Sequence, residues 1–321
     1  MNEIQLLAKI KNEIKNHFTF NTANKSLIEI IDDTAIISNS VAMQILTSDM
    51  LIEDIHFSKQ TASFEDIGWK AIARNLSDVA AMGAIPSYFL ISLGITKKMN
   101  INQVIQIYKG MRILAKKYKV NLVGGDSSIS SKLFISITMN GILKALPLLR
   151  TKARINDLIC ITGNLGGSAA GLLTLKKDYS VKNSLTKIHL RPNPRIIEAN
   201  KLAKIGVHSA IDISDGLLID LQKLVIASNV SAEIDLNSIP INNLVKKLFP
   251  KISLDLALTG GEDYELIFTC PPNLINTVDK ILASKFSIIG KIRQKNKTPI
   301  RILQNGVDAK NIKIQGWDPF K

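Results

Sequence analysis

The chain has 321 residues, 46% of them hydrophobic and 5% aromatic, with a formal net charge of +14. That length suits two domains with mainly aliphatic cores. The lysines are scattered, and no aromatic residues interleave with a basic cluster. This argues against a nucleic-acid groove and reads the charge as solvated surface with some pull on anions.

Cys160 and Cys270 lie far apart, each in an apolar segment, so they form neither a disulfide framework nor a metal motif. They suit a reducing compartment. No apolar run approaches the length of a membrane span. The opening stretch, MNEIQLLAKIKNEIKNHF, reads as an amphipathic helix containing Glu3 and Glu13, not as a targeting signal. A cytoplasmic globular protein is expected.

After that helix, Leu27–Ile37 reads as a strand interrupted by Asp32 and Asp33. An apolar run from Val41 to Leu46 then enters Thr47–Phe57, TSDMLIEDIHF, and predicts a buried strand with Asp49 at its mouth beside Thr47 and Ser48. Glu65–Gly83 has helical spacing, with Ile67, Ala71, Ile72, Leu76, Val79 and Ala80 on one face. A strand at Tyr88–Ile95, a helix at Ile101–Tyr118, a short strand at Val120–Val123 and a strand at Leu133–Leu143 follow.

The polar, basic stretch from Pro147 to Asp157 marks the expected domain boundary, giving residues 1–146 and 147–321. Beyond it come a strand at Leu158–Thr162 and a glycine-rich turn at Gly163–Gly171 that opens a helix. Then follow a helix at Arg195–Ile205, a strand at Ser209–Ile213, a helix at Gly216–Ala227 and a strand at Glu265–Cys270. A last helix and two short strands close the chain. This alternation predicts layered α/β and α+β domains.

The acids gather at predicted strand ends: Asp32 and Asp33, Asp49, Asp126, Asp212 and Asp215, Glu262 and Asp263. Asp78 adds one within a helix, among apolar neighbours. An unpaired buried charge is costly, so these acids call for arginine partners or cations. Few arginines lie near them in sequence, which favours oxygen-ligated hard cations such as Mg²⁺, Mn²⁺ or Ca²⁺. Since Mg²⁺ sits between carboxylates and phosphates, a phosphorylated ligand follows. The glycine pairs of GGD (Gly124–Asp126) and GGED (Gly260–Asp263) let backbone approach that ligand. Neither GxxxxGK[ST] nor GxGxxG is present. Asp/Gly turns of a plain structural protein are the competing reading.

The blocks ILTSDMLIEDIHF, GWKAIARNLSDVAAMGAIP, LVGGDSS, ITGNLGGSAAGL, LRPNPR, AIDISDGLLIDL and ALTGGEDYELIFT, in that order, resemble the thiamine-monophosphate kinase family. That family belongs to the superfamily of aminoimidazole ribonucleotide synthetase and selenophosphate synthetase. The resemblance implies a two-domain aminoimidazole-ribonucleotide-synthetase-like fold. Its N-terminal α+β domain would have a mixed sheet, dimerise and bind metal and ATP; an α/β domain would follow. It also implies phosphotransfer from ATP to the phosphate of thiamine monophosphate, the last step of thiamine diphosphate biosynthesis, with several Mg²⁺ ions and a homodimer. No nucleic acid or membrane partner is implied.

By similarity, Asp32, Thr47, Ser48, Asp49, Asp78, Asp126, Asp212 and Asp215 would hold the metals. Tyr108, Gly125, Asp126, Arg150 and Ser214 would touch ATP. His56, Glu262 and Trp317 would face the substrate, and no covalent catalytic residue is implied. The sequence departs from the family pattern at several places: Ile30 and Ile31 precede the acid pair where glycines are usual, Asp54 replaces a usual glycine, Ile129 replaces a basic residue, and the C-terminal GWDPF differs from the usual tyrosine version. The rival readings are another ATP-dependent enzyme of the superfamily and a catalytically silent nucleotide-binding relative.

Overall fold

The computed structural model describes residues 27–29, 36–37, 43–309 and 312–317. The chain gathers into two compact units. The first takes residues up to Val79 together with Ile85–Lys144; the second takes Ala80–Ala84 and Ala145–Lys321.

In the first unit, the segment expected to be one strand is an antiparallel pair, β1 (Leu27–Glu29) and β2 (Ile36–Ile37). Asp32 and Asp33 lie between them, outside the described residues, as does Ile31. Next come β3 (Gln44–Ile52), α1 (Phe64–Ala81), β4 (Ile85–Thr96), α2 (Ile101–Tyr118), β5 (Asn121–Ser130) and β6 (Phe134–Ile142). Strands β3 to β6 form a four-stranded sheet in the order β3-β6-β4-β5. Only β4 and β5 run parallel, joined by α2 as crossover. The sheet is mixed.

Helix α1 starts on a reciprocal cap. Ser63 Oγ donates to Asp66 Oδ2 at 2.6 Å, and the Asp66 N–H donates back to Ser63 Oγ at 3.2 Å. Its expected face is buried in full, from Ile67 to Ala80. Helix α2 is held by a capping box at Asn100 and ends on Lys119 in the left-handed region. The two helices cross so closely that a Cβ on Gly68 would stand 1.9 Å from the Ile107 carbonyl oxygen, and one on Gly110 1.8 Å from that of Glu65. Ile72 and Leu76 of α1, Met111 and Leu114 of α2, Ile91 and Leu93 of β4 and Ile135 and Ile137 of β6 supply the core. Asp54, after β3, has φ +64°, which explains the usual glycine; aspartate is among the few other residues that tolerate it.

In the second unit, β7 (Leu158–Thr162) leads into α3 (Gly167–Lys177), α4 (Ser184–Leu190) and α5 (Ile196–Lys204). Then follow β8 (Ser209–Asp212), α6 (Leu217–Ala227), β9 (Ser231–Asp235), α7 (Asn243–Leu248) and α8 (Ser253–Thr259). The unit ends with β10 (Leu266–Cys270), α9 (Ile275–Leu282), β11 (Phe286–Arg293), β12 (Ile300–Gln304) and β13 (Val307–Asp308). Its seven strands lie in the order β13-β12-β9-β11-β7-β10-β8. Alternating strands and helices usually give a parallel sheet. Here only β9 and β12 run parallel and every other neighbouring pair is antiparallel.

Ile161, Ile211, Leu221, Ile234, Ile267 and Ile289 fill the main core of this unit. Cys160 and Cys270 are free and buried on β7 and β10. Burial pushes the Cys270 thiol up to about 11 and raises the Cys160 thiol well above its ordinary value. Both behave as small apolar residues.

Candidate active site

Strand β3 runs through Asp49 to Ile52, so Asp49 is not at a strand mouth. Polar residues are tolerated there because β3 is an outer strand of the sheet. Its period of two divides the hydroxyl pair. Register puts Thr47 and Asp49 on the face of Met139, Ile137 and Ile91, and Ser48 on the face of Thr138. On α1, Arg74 and Asp78 are four residues apart and therefore neighbours on one helix face. They meet the β3 pair: Thr47 Oγ1 donates to Asp78 Oδ2 at 2.5 Å, and Arg74 Nη2 lies 3.4 Å from Asp49 Oδ1. The partner that half-buried Asp78 requires is thus a hydroxyl, and that of Asp49 an arginine unremarked in the sequence.

Asp126 also lies inside a strand, since β5 continues to Ser130. Its register partners are Ser92 and, beyond it, Ser136, so it points from the sheet face opposite Asp49. It is exposed, and its Oδ1 accepts from the Ser127 N–H at 2.8 Å. Gly125 is required by packing, because a Cβ would stand 2.0 Å from the Ile91 carbonyl oxygen. Tyr108 of α2 is a core residue, 4% exposed, and burial raises its phenol further. His56 follows β3 in a turn, where its Nδ1 accepts from the Ile52 N–H at 3.1 Å. Ile129 is 56% exposed and makes no demand on the core.

In the second unit, two loops and the C-terminal segment come together. Strand β8 ends on buried Asp212, and residues 213–216 lead into α6. The N–H groups of Ser214, Asp215 and Gly216 all donate to Asp220 Oδ2, at 3.0, 2.9 and 3.1 Å. Burial raises the Asp220 carboxyl, and Lys223 opposes that rise. Lys223 Nζ bonds Asp215 Oδ2 at 2.5 Å and Asp220 Oδ1 at 2.7 Å.

The second loop is Gly260–Tyr264. Its Glu262 N–H donates to Ser214 O at 2.8 Å and its Tyr264 N–H to Ile213 O at 2.9 Å. A Cβ on Gly261 would stand 2.6 Å from Ser214 O, so glycine lets the loops touch. Glu262 and Tyr264 adopt φ +64° and +51°, a strained backbone for such residues. Between them, Asp263 is buried and accepts from the N–H groups of Gly166 (2.7 Å) and Ser168 (2.9 Å) at the start of α3. Burial pushes its carboxyl up to about 7, against those bonds. Glu265 is clamped by Arg195, with Nε at 2.6 Å and Nη2 on the other oxygen, and accepts from Thr162 Oγ1 at 2.7 Å. Burial works against the Arg195 charge, and Glu265 outweighs it. The Trp317 N–H donates to Asp215 O at 2.9 Å.

Ser214, Asp215, Glu262 and Trp317 are therefore neighbours. Arg150 is not among them. It is exposed in a 3₁₀ turn whose carbonyl accepts from Ser228 Oγ, at the C-terminal end of α6. Asp215 precedes the N-terminal end of that helix, about 16 Å away along its axis. The expectation that few arginines partner the acids is corrected by Arg74 and Arg195, with Lys223 doing the same for Asp215. Those pairings span up to 70 residues and leave no local signal.

The donor chemistry fits Mg²⁺: Thr47, Asp49 and Asp78 in one unit and Asp212 and Asp215 in the other offer hydroxyl and carboxylate oxygens only. Among the described residues, no three His, Cys, Asp or Glu side chains form a closed cage.

Comparison with known proteins gives the family. Residues 31–143 match the family model of AIR synthase related protein, N-terminal domain, and residues 154–302 that of the C-terminal domain. The thiamine-monophosphate kinase of Bacillus subtilis (strain 168) is 36% identical over 92% of this chain and 94% of that protein. The crystal structure of the thiamine-monophosphate kinase from Stenotrophomonas maltophilia K279a superposes with a TM-score of 0.81 at 31% identity, covering 93% of this chain and 96% of that one. AaThiL complexed with AMPPCP and TMP superposes with a TM-score of 0.76 at 30% identity, covering 98% and 96%. The chain belongs to the thiamine-monophosphate kinase family and is built from its two AIR synthase related domains.

Proposed function

We propose that this protein transfers the terminal phosphoryl group of ATP to the phosphate of thiamine monophosphate, giving ADP and thiamine diphosphate. The observation that carries the reading is the group formed by Thr47, Asp49, Arg74 and Asp78, in which the Thr47 hydroxyl meets the Asp78 carboxylate at 2.5 Å and the Arg74 guanidinium lies 3.4 Å from the Asp49 carboxylate. Thr47, Asp49 and Asp78 would hold Mg²⁺ in one unit; Asp212 and Asp215 would do so in the other, with Lys223 giving up its bond to Asp215. Ser48 and Asp126, on the opposite sheet face, would add metal ligands, and Gly125 and Asp126 would touch ATP, as the family resemblance implies. Asp32 would add a ligand from outside the described residues. When bound, Mg²⁺ neutralises phosphate oxygens and aligns the attacking and leaving oxygens.

The attacking phosphate oxygen is ionised near neutral pH, so the chain needs no strong base. His56 supports that division, because its Nδ1 is engaged by the Ile52 N–H. We assign it, with Glu262 and Trp317, to thiamine monophosphate, and assign Ser214 to ATP. Arg150 and Tyr108 keep the ATP contacts that the family resemblance gives them.

We also infer a homodimer paired through the first unit. Leu46, Met50 and Leu90 lie 72%, 54% and 40% exposed on the sheet face that also carries Ser48 and Asp126, an apolar patch that a second copy would cover next to those two side chains. No helix among the described residues is long and apolar enough to cross a membrane, and we place the protein in the cytoplasm.

The test is turnover of thiamine monophosphate with ATP and Mg²⁺, read as thiamine diphosphate by chromatography. Product is expected with thiamine monophosphate, none with unphosphorylated thiamine, and none after chelation of the metal. ATP binding without thiamine diphosphate would move the protein to another substrate within the superfamily.

A further inference from the structure

Helix α4 is a short element with a capping box at Asn183, set tightly against α3: a Cβ on Gly171 would stand 2.1 Å from the Leu185 carbonyl oxygen and 3.0 Å from the Cβ of His189. This packing drives the His189 imidazole inward, leaving the residue 5% exposed. Its Nδ1 lies 3.0 Å from Ser168 Oγ and 3.6 Å from Glu262 Oε2. Ser168 is itself fixed, because its N–H caps onto Asp263. Glu262 has its backbone N–H pinned to Ser214 O, yet its left-handed conformation places it outside any strand or helix that would aim its side chain. The imidazole thus bonds the first turn of α3 through Ser168 and stands within ion-pair reach of a partly exposed carboxylate.

We propose that His189 is a positioning residue that holds the Glu262 carboxylate in its binding orientation for thiamine monophosphate. The proposal rests on the reading in which Glu262 contacts that substrate; a carboxylate suits the cationic thiazolium ring. His189 acts through Glu262 and touches neither the reacting phosphates nor ATP. It therefore governs affinity for one substrate of the two.

The test separates KM values in the full-length enzyme. His189→Leu should raise KM for thiamine monophosphate about tenfold, as expected for loss of one contact to a charged group. KM for ATP should move by less than about twofold on the same scale. His189→Asn, whose amide nitrogen can replace Nδ1, should recover most of the loss. In a Glu262→Gln background, His189→Leu should add little, since its target is already gone. Equal rises in both KM values, or a fall in thermal stability alone, would overturn the proposal. If His189→Leu fails to fold, the unmodified protein still decides: with four histidines in the chain, the His189 imidazole ¹⁵N signals should shift on saturation with thiamine monophosphate, and a static signal would count against it. Wild-type protein with no turnover of thiamine monophosphate would overturn the kinase reading and this assignment together. Turnover with an unmoved KM in both His189 variants would overturn this assignment alone.

Discussion

Two groups of carboxylates in this molecule are built on opposite plans. In the β3–α1 group, Asp49 and Asp78 are half-buried, with Arg74 3.4 Å from Asp49 and the Thr47 hydroxyl on Asp78. In the group around Gly260–Tyr264, Asp263 and Glu265 are buried and saturated by backbone N–H groups, a threonine and a bidentate arginine. Both belong to acid-rich blocks that look alike in sequence. The difference teaches that an acid near a site serves either a ligand or the fold, and that its remaining hydrogen-bonding capacity decides which.

The largest expected effect is in the β3–α1 group. Asp49→Asn should lower kcat on the order of 10²–10³, the usual cost of losing one electrostatic contact to the transferring group, while circular dichroism melting shifts by no more than about 3 °C. A melting shift as severe as the activity loss would erase the contrast. The reverse is expected in the buried group. Arg195→Met leaves Glu265 as an uncompensated buried charge and should cost about 3–5 kcal/mol in denaturant unfolding. Activity per folded molecule should change far less than in Asp49→Asn.

A subtler test uses pH. The folded-state pKa of Asp263, about 7, lies above that of an ordinary aspartate. Its contribution to stability is therefore fully present below pH ~4 and is lost as pH rises through about 7. Subtracting the unfolding free energy of Asp263→Asn from that of the wild type across this window should show the difference shrinking with pH. A flat difference would mean that the N–H groups of Gly166 and Ser168 keep the carboxylate ionised throughout.

The contrast also marks what the sequence could say. Helices with one buried face were legible because burial imposes a period of 3.6, to the residue at Ile101–Tyr118 and to within two residues at Phe64–Ala81. The buried strand Leu158–Thr162 was equally plain. Strands β3 and β5 were cut short at their first polar residues. Both are outer strands with one open face, where apolar runs stop before the hydrogen bonding does. Strand β9, in the middle of the second sheet, was missed. Of the site, the blocks carrying Ser214, Asp215 and Glu262 were legible as motifs, whereas Trp317 came from the family resemblance alone. Arg195 stood inside a quoted block, LRPNPR, with no reason to link it to Glu265. His189 lay just before that block, and its partner Glu262 is brought in only by tertiary packing.

The left-handed backbone at Glu262 bears on how this chain tolerates change. Glycine would occupy φ +64° without the strain of about 1 kcal/mol or more that a glutamate carries there. Glu262→Gly thus relieves that backbone strain as it deletes the carboxylate proposed to face thiamine monophosphate. A population selected for heat resistance alone would drift toward it, and one selected for turnover would purge it. Which residue occupies position 262 in a laboratory lineage would report which of the two pressures had been applied.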